Sequence, residues 1–299
     1  MKKLISFTFL ICVVNIYSQL SIFRKADSPR KKRTILTTVF NTSTFSSSFL
    51  ALKSVWYADY EKTPLHSFDD SKNWMQMDKV GHLYSCYHFN EVVAKTYHWS
   101  GLNNKKSALI GGAYAWTYQF AIELLDGQSS GWGFSWSDLT ANTLGSALYI
   151  GQEYGFEKQI FKLKFSYQDS EFAQYRPNTL GSNLQEKILK DYNAQTYWLS
   201  FSPFAWSKNN KAPKWINLAL GYSVDGKLIG DKDIFISADG LKSFQAKREF
   251  ILSLDIDVKN LPIKKKWLKA VLTPFNVIKI PFPALVWRGN VLYGKPFYQ

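Results

Sequence analysis

The stretch MDKVGH carries Asp78 and His82 four residues apart, the spacing that sets a carboxylate and an imidazole on one face of a helix. Such a pair binds a metal or passes a proton. Two further polar pairs follow at helical spacing: Glu123 with Asp126, and Asp138 with Asn142. If three helices bring these pairs together, Asp78, His82, Glu123, Asp126 and Asp138 supply the ligands of a metal centre, as in helical bundles with carboxylate and histidine sites. Asn142 and Lys79 are then orienting groups. A single imidazole among hard carboxylates suits Zn, Mn, Mg or Ca rather than a thiolate-selected metal. The same residues also support metal-free catalysis by His82, Asp78, Glu123 and Asp138, with His82 as general base and a carboxylate holding its tautomer. A third reading is a buried polar network that locks the helices together.

Other residues offer less. His66, His88 and His98 lack a carboxylate at ligand spacing, apart from Glu91 three residues after His88, and are expected in core or surface roles. The glycines of GQSSGWGF have no strand before them, so a helix-connecting turn is expected rather than a phosphate loop. The chain contains no HExxH or Walker sequence, and GQSSG, with no strand before it, is not expected to form a nucleophile elbow.

Three helical segments are expected to hold the polar pairs, at about 74–97, 105–125 and 137–154, with Ser135 and Ser137 as N-cap candidates and Gly127, Gly131 and Gly133 breaking the second from the third. In the second, SALIGGAYAWTYQFAIELL has Glu123 as its only charge, a composition shared by membrane-spanning helices and helices buried in soluble bundles. Residues 35–60 read as a helix in or against an apolar layer, and 61–74 as a connection. Beyond about residue 195 the texture changes to alternation, above all in REFILSLDIDV, where Phe250, Leu252, Leu254, Ile256 and Val258 share a face. Weaker runs at 196–206, 214–224 and 277–287, with a turn at Asp225 and Gly226, predict a small antiparallel sheet. Four or five strands are too few for a membrane barrel. The fold class is therefore α+β, with a helical domain over 35–190 and a β-rich domain over 191–299.

The chain opens with Lys2 and Lys3, an apolar run from Leu4 to Ile16, and Ser18 before Gln19, the layout of a cleavable secretory signal over 1–19. Cys12 follows Ile11 rather than a small residue, so lipid attachment there is not expected. Removing the signal leaves Cys86 as the sole cysteine, so packing alone must hold the fold. Residues 20–34 form a basic arm. The net charge of +14 favours an anionic neighbour such as lipid headgroups, and 11 Trp with 17 Tyr fits a bilayer interface. Lys264, Lys265, Lys266 and Lys269 around Trp267 form a basic, aromatic patch that could rest on anionic lipid. No nucleic-acid motif is present, and nucleic acid is not an expected partner. The expected location is the periplasm or outer membrane.

The strings WMQMDKVGHLYS, IELLDG and WGFSWSDLTANTLGS, with KDYNAQTYWLS and APKWINLALGY further on, resemble a family of unknown function, number 2279, described as predicted periplasmic lipoproteins. The likeness covers roughly residues 35–225. The DKxxH, E and DxxxN series is similar, more distantly, to that of VanZ-like membrane proteins. By position, the family's polar residues fall on Asp78, Lys79, His82, Glu123, Asp126, Asp138 and Asn142. The resemblance implies an envelope protein and assigns no activity. Two functions are therefore expected: a membrane-associated protein that binds lipid or a partner around a buried His/carboxylate cluster, or an envelope hydrolase or transferase on lipid-linked or glycan substrates, with or without a divalent metal.

Overall fold

The computed structural model describes residues 25–57, 60–209 and 211–298, so the expected signal over 1–19 lies outside the described residues. The protein is α+β, and its chain divides into two compact units, Met1–Ser71 with His82–Gln159, and Lys72–Gly81 with Ile160–Gln299.

The first unit holds α1 (Lys31–Trp56), the larger part of α2 (Met77–Trp99), α3 (Asn104–Asp126) and α4 (Trp136–Gly155). Asn103 caps α3 by accepting from the Lys106 amide, and Ser135 caps α4 by accepting from the Asp138 amide. Cys86 and Phe89 of α2 pack on Ala115 of α3, with Phe45 and Tyr118 against them. Gly145 lets α4 approach α2 closely, because a Cβ there would lie 2.3 Å from the Leu83 carbonyl oxygen. Gly145→Ala is therefore expected to lower stability by about 1–3 kcal/mol despite alanine's better helix propensity, read as a shift in the urea midpoint. Burial on α1 runs against the usual sense. Thr37 and Asn41 are buried, Asn41 donating to Thr96 at 2.8 Å, while Ile35, Leu36, Val39 and Phe40 stand exposed. Among the described residues no helix is long and apolar enough to cross a membrane.

The second unit is built on β1 (Phe161–Tyr167), β2 (Gln195–Phe201), β3 (Ile216–Asp225), β4 (Ile234–Ile236), β5 (Ser243–Gln245), β6 (Lys247–Ile256), β7 (Phe282–Arg288) and β8 (Val291–Tyr298). Short helices α5 (Pro177–Leu180) and α6 (Leu184–Lys190) join β1 to β2, and α7 (Lys266–Leu272) precedes β7. Six strands form an antiparallel sheet ordered β1-β2-β3-β6-β7-β8, with β4 and β5 as a separate hairpin. Where four or five strands were expected, the sheet has six: the additional ones are Phe161–Tyr167, which lies inside the region expected to be helical, and Val291–Tyr298, whose alternation Gly294 and Pro296 interrupt. The last long helix ends at Gly155, and the short helices over 177–190 lie between the first two strands. The turn at Asp225 and Gly226 is present, with Gly226 at φ +71 where a left-handed backbone is needed.

The sheet curls around a polar interior. Strands four places apart in a flat sheet lie about 19 Å from each other. Yet Thr196 of β2 meets the Tyr298 hydroxyl of β8 at 3.2 Å. On the concave side Lys164 pairs with Asp255 at 2.6 Å, both side chains fully buried. Ser200 donates to Asp255 at 2.6 Å, and Arg288 pairs with Glu249 at 2.6 Å. Burial pushes Lys279 down to about 8, partly offset by Asp255. Trp198, Ala219, Ile251, Ala284, Val286 and Tyr298 provide the apolar part of this interior. On the convex side the register aligns one leucine from each of five strands, Leu163, Leu199, Leu220, Leu252 and Leu285, beside an aromatic row of Phe165, Tyr197, Tyr222, Phe250 and Trp287. Met75 and Met77 pack on the Tyr197 and Tyr222 part of that row. The face predicted by alternation in β6 is thus real, but Phe250, Leu252 and Leu254 point outward while Glu249, Ser253 and Asp255 are buried.

Candidate functional site

The first turn of α2 follows an unusual backbone. Trp74, Met75 and Gln76 all have φ between 51 and 65, a left-handed turn costly for residues with a Cβ, where a right-handed helix from Trp74 was expected. Neighbours of the second unit hold it: the Trp74 amide donates to the Gly230 carbonyl at 2.8 Å, Arg248 donates to Gln76 at 2.7 Å, and the Tyr222 hydroxyl donates to the Met75 carbonyl. Asp78 comes next, paired with Lys79 at 3.0 Å and accepting from the Tyr192 hydroxyl at 2.8 Å. Asp78 also stands one turn before His82 on α2.

In the first unit the cluster forms around His82. Its Nδ1 lies 3.2 Å from Asn142 Oδ1 and 3.5 Å from Glu123 Oε1, and its Nε2 lies 4.0 Å from Asp138 Oδ1. Helical spacing explains the convergence, since α2, α3 and α4 each contribute one polar stripe at close approach. The cap of α4 sets two members. Ser135 Oγ accepts from the Asp138 amide at 3.1 Å, the Ser135 amide donates to Glu123 Oε2 at 3.4 Å, and both Ser135 and Ser137 donate to Asp70. Gln119 donates to Asn142 Oδ1 at 3.3 Å.

The ring nitrogens of His82 therefore differ. The Asn142 Oδ1 acceptor at Nδ1, with the Glu123 carboxylate beside it, places the proton there, which turns the Nε2 lone pair toward Asp138. Two lone pairs facing each other 4.0 Å apart repel unless a cation, a proton or a water lies between them. Glu123 is 1% exposed, and this burial pushes its carboxyl up to about 8, opposed by His82 and reinforced by Asp138 and Asp126. Buried Glu123 Oε1 and Asn142 Nδ2 have no hydrogen-bond partner.

His82, Glu123, Asp138 and Asn142 are thus gathered as their spacing implied. Asp126 is engaged elsewhere, its carboxylate accepting from the Tyr57 hydroxyl at 2.6 Å. Burial, reinforced by that contact, holds the Tyr57 hydroxyl well above its ordinary range. Residues 67–151 match the model of a family described as "Predicted periplasmic lipoprotein (DUF2279)". The part matched to the periplasmic lipoprotein family runs through α2, α3 and α4, and so includes every member of the cluster. No curated protein and no solved structure matches the chain. Outside the cluster, buried His88 lies 3.2 Å from Glu91, which also pairs with Lys95 at 2.8 Å. The three-residue spacing of His88 and Glu91 was the only signal of that triad.

Proposed function

We propose that this chain is an exported envelope protein, associated with an anionic membrane, that binds rather than catalyses and holds one divalent cation between His82 Nε2 and Asp138 in its helical unit. The observation that carries the cation is the approach of His82 Nε2 to the buried Asp138 Oδ1 at 4.0 Å, with Nδ1 already engaged by Asn142 Oδ1 on the other side of the ring. Bonds of roughly 2.0–2.2 Å to imidazole nitrogen and carboxylate oxygen fit between two atoms 4.0 Å apart. Asn142 Oδ1 then holds Nδ1, fixing the ring as carbonyl partners do behind metal-bound histidines. Export and the periplasm follow the matched family's description and the expected signal, and membrane association follows the +14 charge.

Metal content by mass spectrometry, with melting of zinc-loaded and stripped protein, tests the cation. Wild type is expected to carry about one equivalent and to melt higher when loaded, and His82→Ala with Asp138→Ala to lose both effects. A metal-free wild type whose double variant melts far lower would make the cluster a structural network. The second reading, an envelope hydrolase or transferase with His82 as base, draws on His82 being the most accessible member, with its side chain 20% exposed against 1% for Glu123. Turnover of a lipid-linked or glycan substrate, abolished by Glu123→Gln, would favour it.

A further inference from the structure

We infer that the convex face of the six-stranded sheet is a lipid-contacting surface that docks the protein on the acyl layer of an anionic bilayer. The inference rests on the membrane association proposed above and names the surface responsible. An antiparallel sheet with one wet face normally buries its apolar side chains and turns the polar ones to water. Here the assignment is reversed on the same strands. Along β6, Asp255 is 1% exposed and Glu249 4%, whereas Leu252 is 45% and Phe250 51% exposed. On β7, Leu285 and Trp287 stand out while Ala284 and Val286 are buried.

The Lys164–Asp255 and Arg288–Glu249 pairs occupy the interior where a water-soluble sheet would hold its leucines. Membrane β-barrels share this distribution, polar within and apolar without, with aromatic residues bordering the apolar band. The leucine row and its aromatic neighbour at Phe250 and Trp287 reproduce that order. A docked protein partner would explain an exposed patch but not a charged interior behind it. Hydrocarbon explains both, because apolar side chains are then best placed outside. The helical unit shows the same reversal independently on α1, where Thr37 and Asn41 are buried and Ile35, Leu36 and Val39 are exposed. Six strands fall short of the eight at which single-chain membrane barrels start, so the role assigned is docking and not a pore. Cationic charge supplies the headgroup attraction, with Lys264, Lys265 and Lys266 beside exposed Trp267 at the start of α7.

Vesicle flotation of the full chain tests this, with phosphatidylcholine alone and with phosphatidylcholine mixed with phosphatidylglycerol. Wild type is expected to float with the anionic vesicles. Leu252→Glu with Leu285→Glu is expected to partition at least about tenfold less, since charge on a lipid face is strongly disfavoured. Leu184→Glu with Leu241→Glu, at exposed leucines off the face, is expected to float like wild type. Equal flotation of the face variant and wild type would overturn the assignment and leave membrane association standing. No flotation of wild type with either vesicle would remove both. A wild-type dimer that the face variant dissociates, without flotation, would replace lipid by a second copy. Should the double glutamate variant fail to fold, Leu252→Cys carrying an environment-sensitive dye gives the same decision. A blue shift on vesicle addition is expected, and its absence overturns the inference.

Discussion

Asp255→Ala is expected to destabilise the β-sheet unit by about 3–5 kcal/mol, because it strands the Lys164 ammonium in a buried site. The Asp255 carboxylate takes three contacts: Lys164 at 2.6 Å, the Ser200 hydroxyl at 2.6 Å, and the Ile280 amide at 3.3 Å. Once it is gone, the ammonium keeps the Ile256 carbonyl at 2.8 Å, which carries no countercharge. Burial already holds Lys164 below its ordinary range, with Asp255 as the main opposing influence. Removing both charges is a different experiment. Lys164→Met with Asp255→Leu is expected to recover most of the loss, since an apolar pair of similar volume avoids the desolvation cost of both ions. A double-mutant cycle in urea separates the cases, and additive losses in the double variant would contradict this account.

Trp198→Ala is expected to cost a similar amount, about 3–5 kcal/mol, through the cavity it opens. Trp198 is 1% exposed, donates from Nε1 to Ser166 at 2.9 Å, and packs edge-on to Tyr298 at 5.5 Å between ring centroids. Lys279 Nζ sits 4.7 Å from the centroid of its ring. Alanine therefore removes packing, a hydrogen bond and the cation's aromatic partner together. The sheet has shaped itself to this ring, since Gly221 faces it and a Cβ there would come within 2.7 Å. Trp198→Phe keeps most of the volume and is expected to retain more than half of the stability lost by alanine. Urea midpoints of the two variants measure the difference, and equal losses would show that the hydrogen bond to Ser166 dominates.

The candidate site was largely legible in the sequence. Polar pairs at spacings of three and four select one face of a helix, so Asp78, His82, Glu123, Asp138 and Asn142 could be named before any fold was known. Ser135 as a cap and the glycines after α3 were equally visible, because capping and helix breaking are local effects. The division of labour was not. Glu123 and Asp126 differ by less than one turn, and only the α4 cap on one side and Tyr57 on the other send the first to His82 and the second away. The left-handed turn at Trp74, Met75 and Gln76 also escaped, since nothing local favours it and distant partners on β3 and β6 hold it.

By itself, the sequence determined the three helices that carry the polar pairs and which residues of a strand share a face. It also established an α+β chain with a strong positive charge. Tertiary structure decided which face of each strand lies inside. A period of two divides a strand into two faces and carries no sign, because burial depends on what covers each face. Here long-range pairings such as Lys164 with Asp255, across two intervening strands, draw the polar face inward and leave the leucines outside.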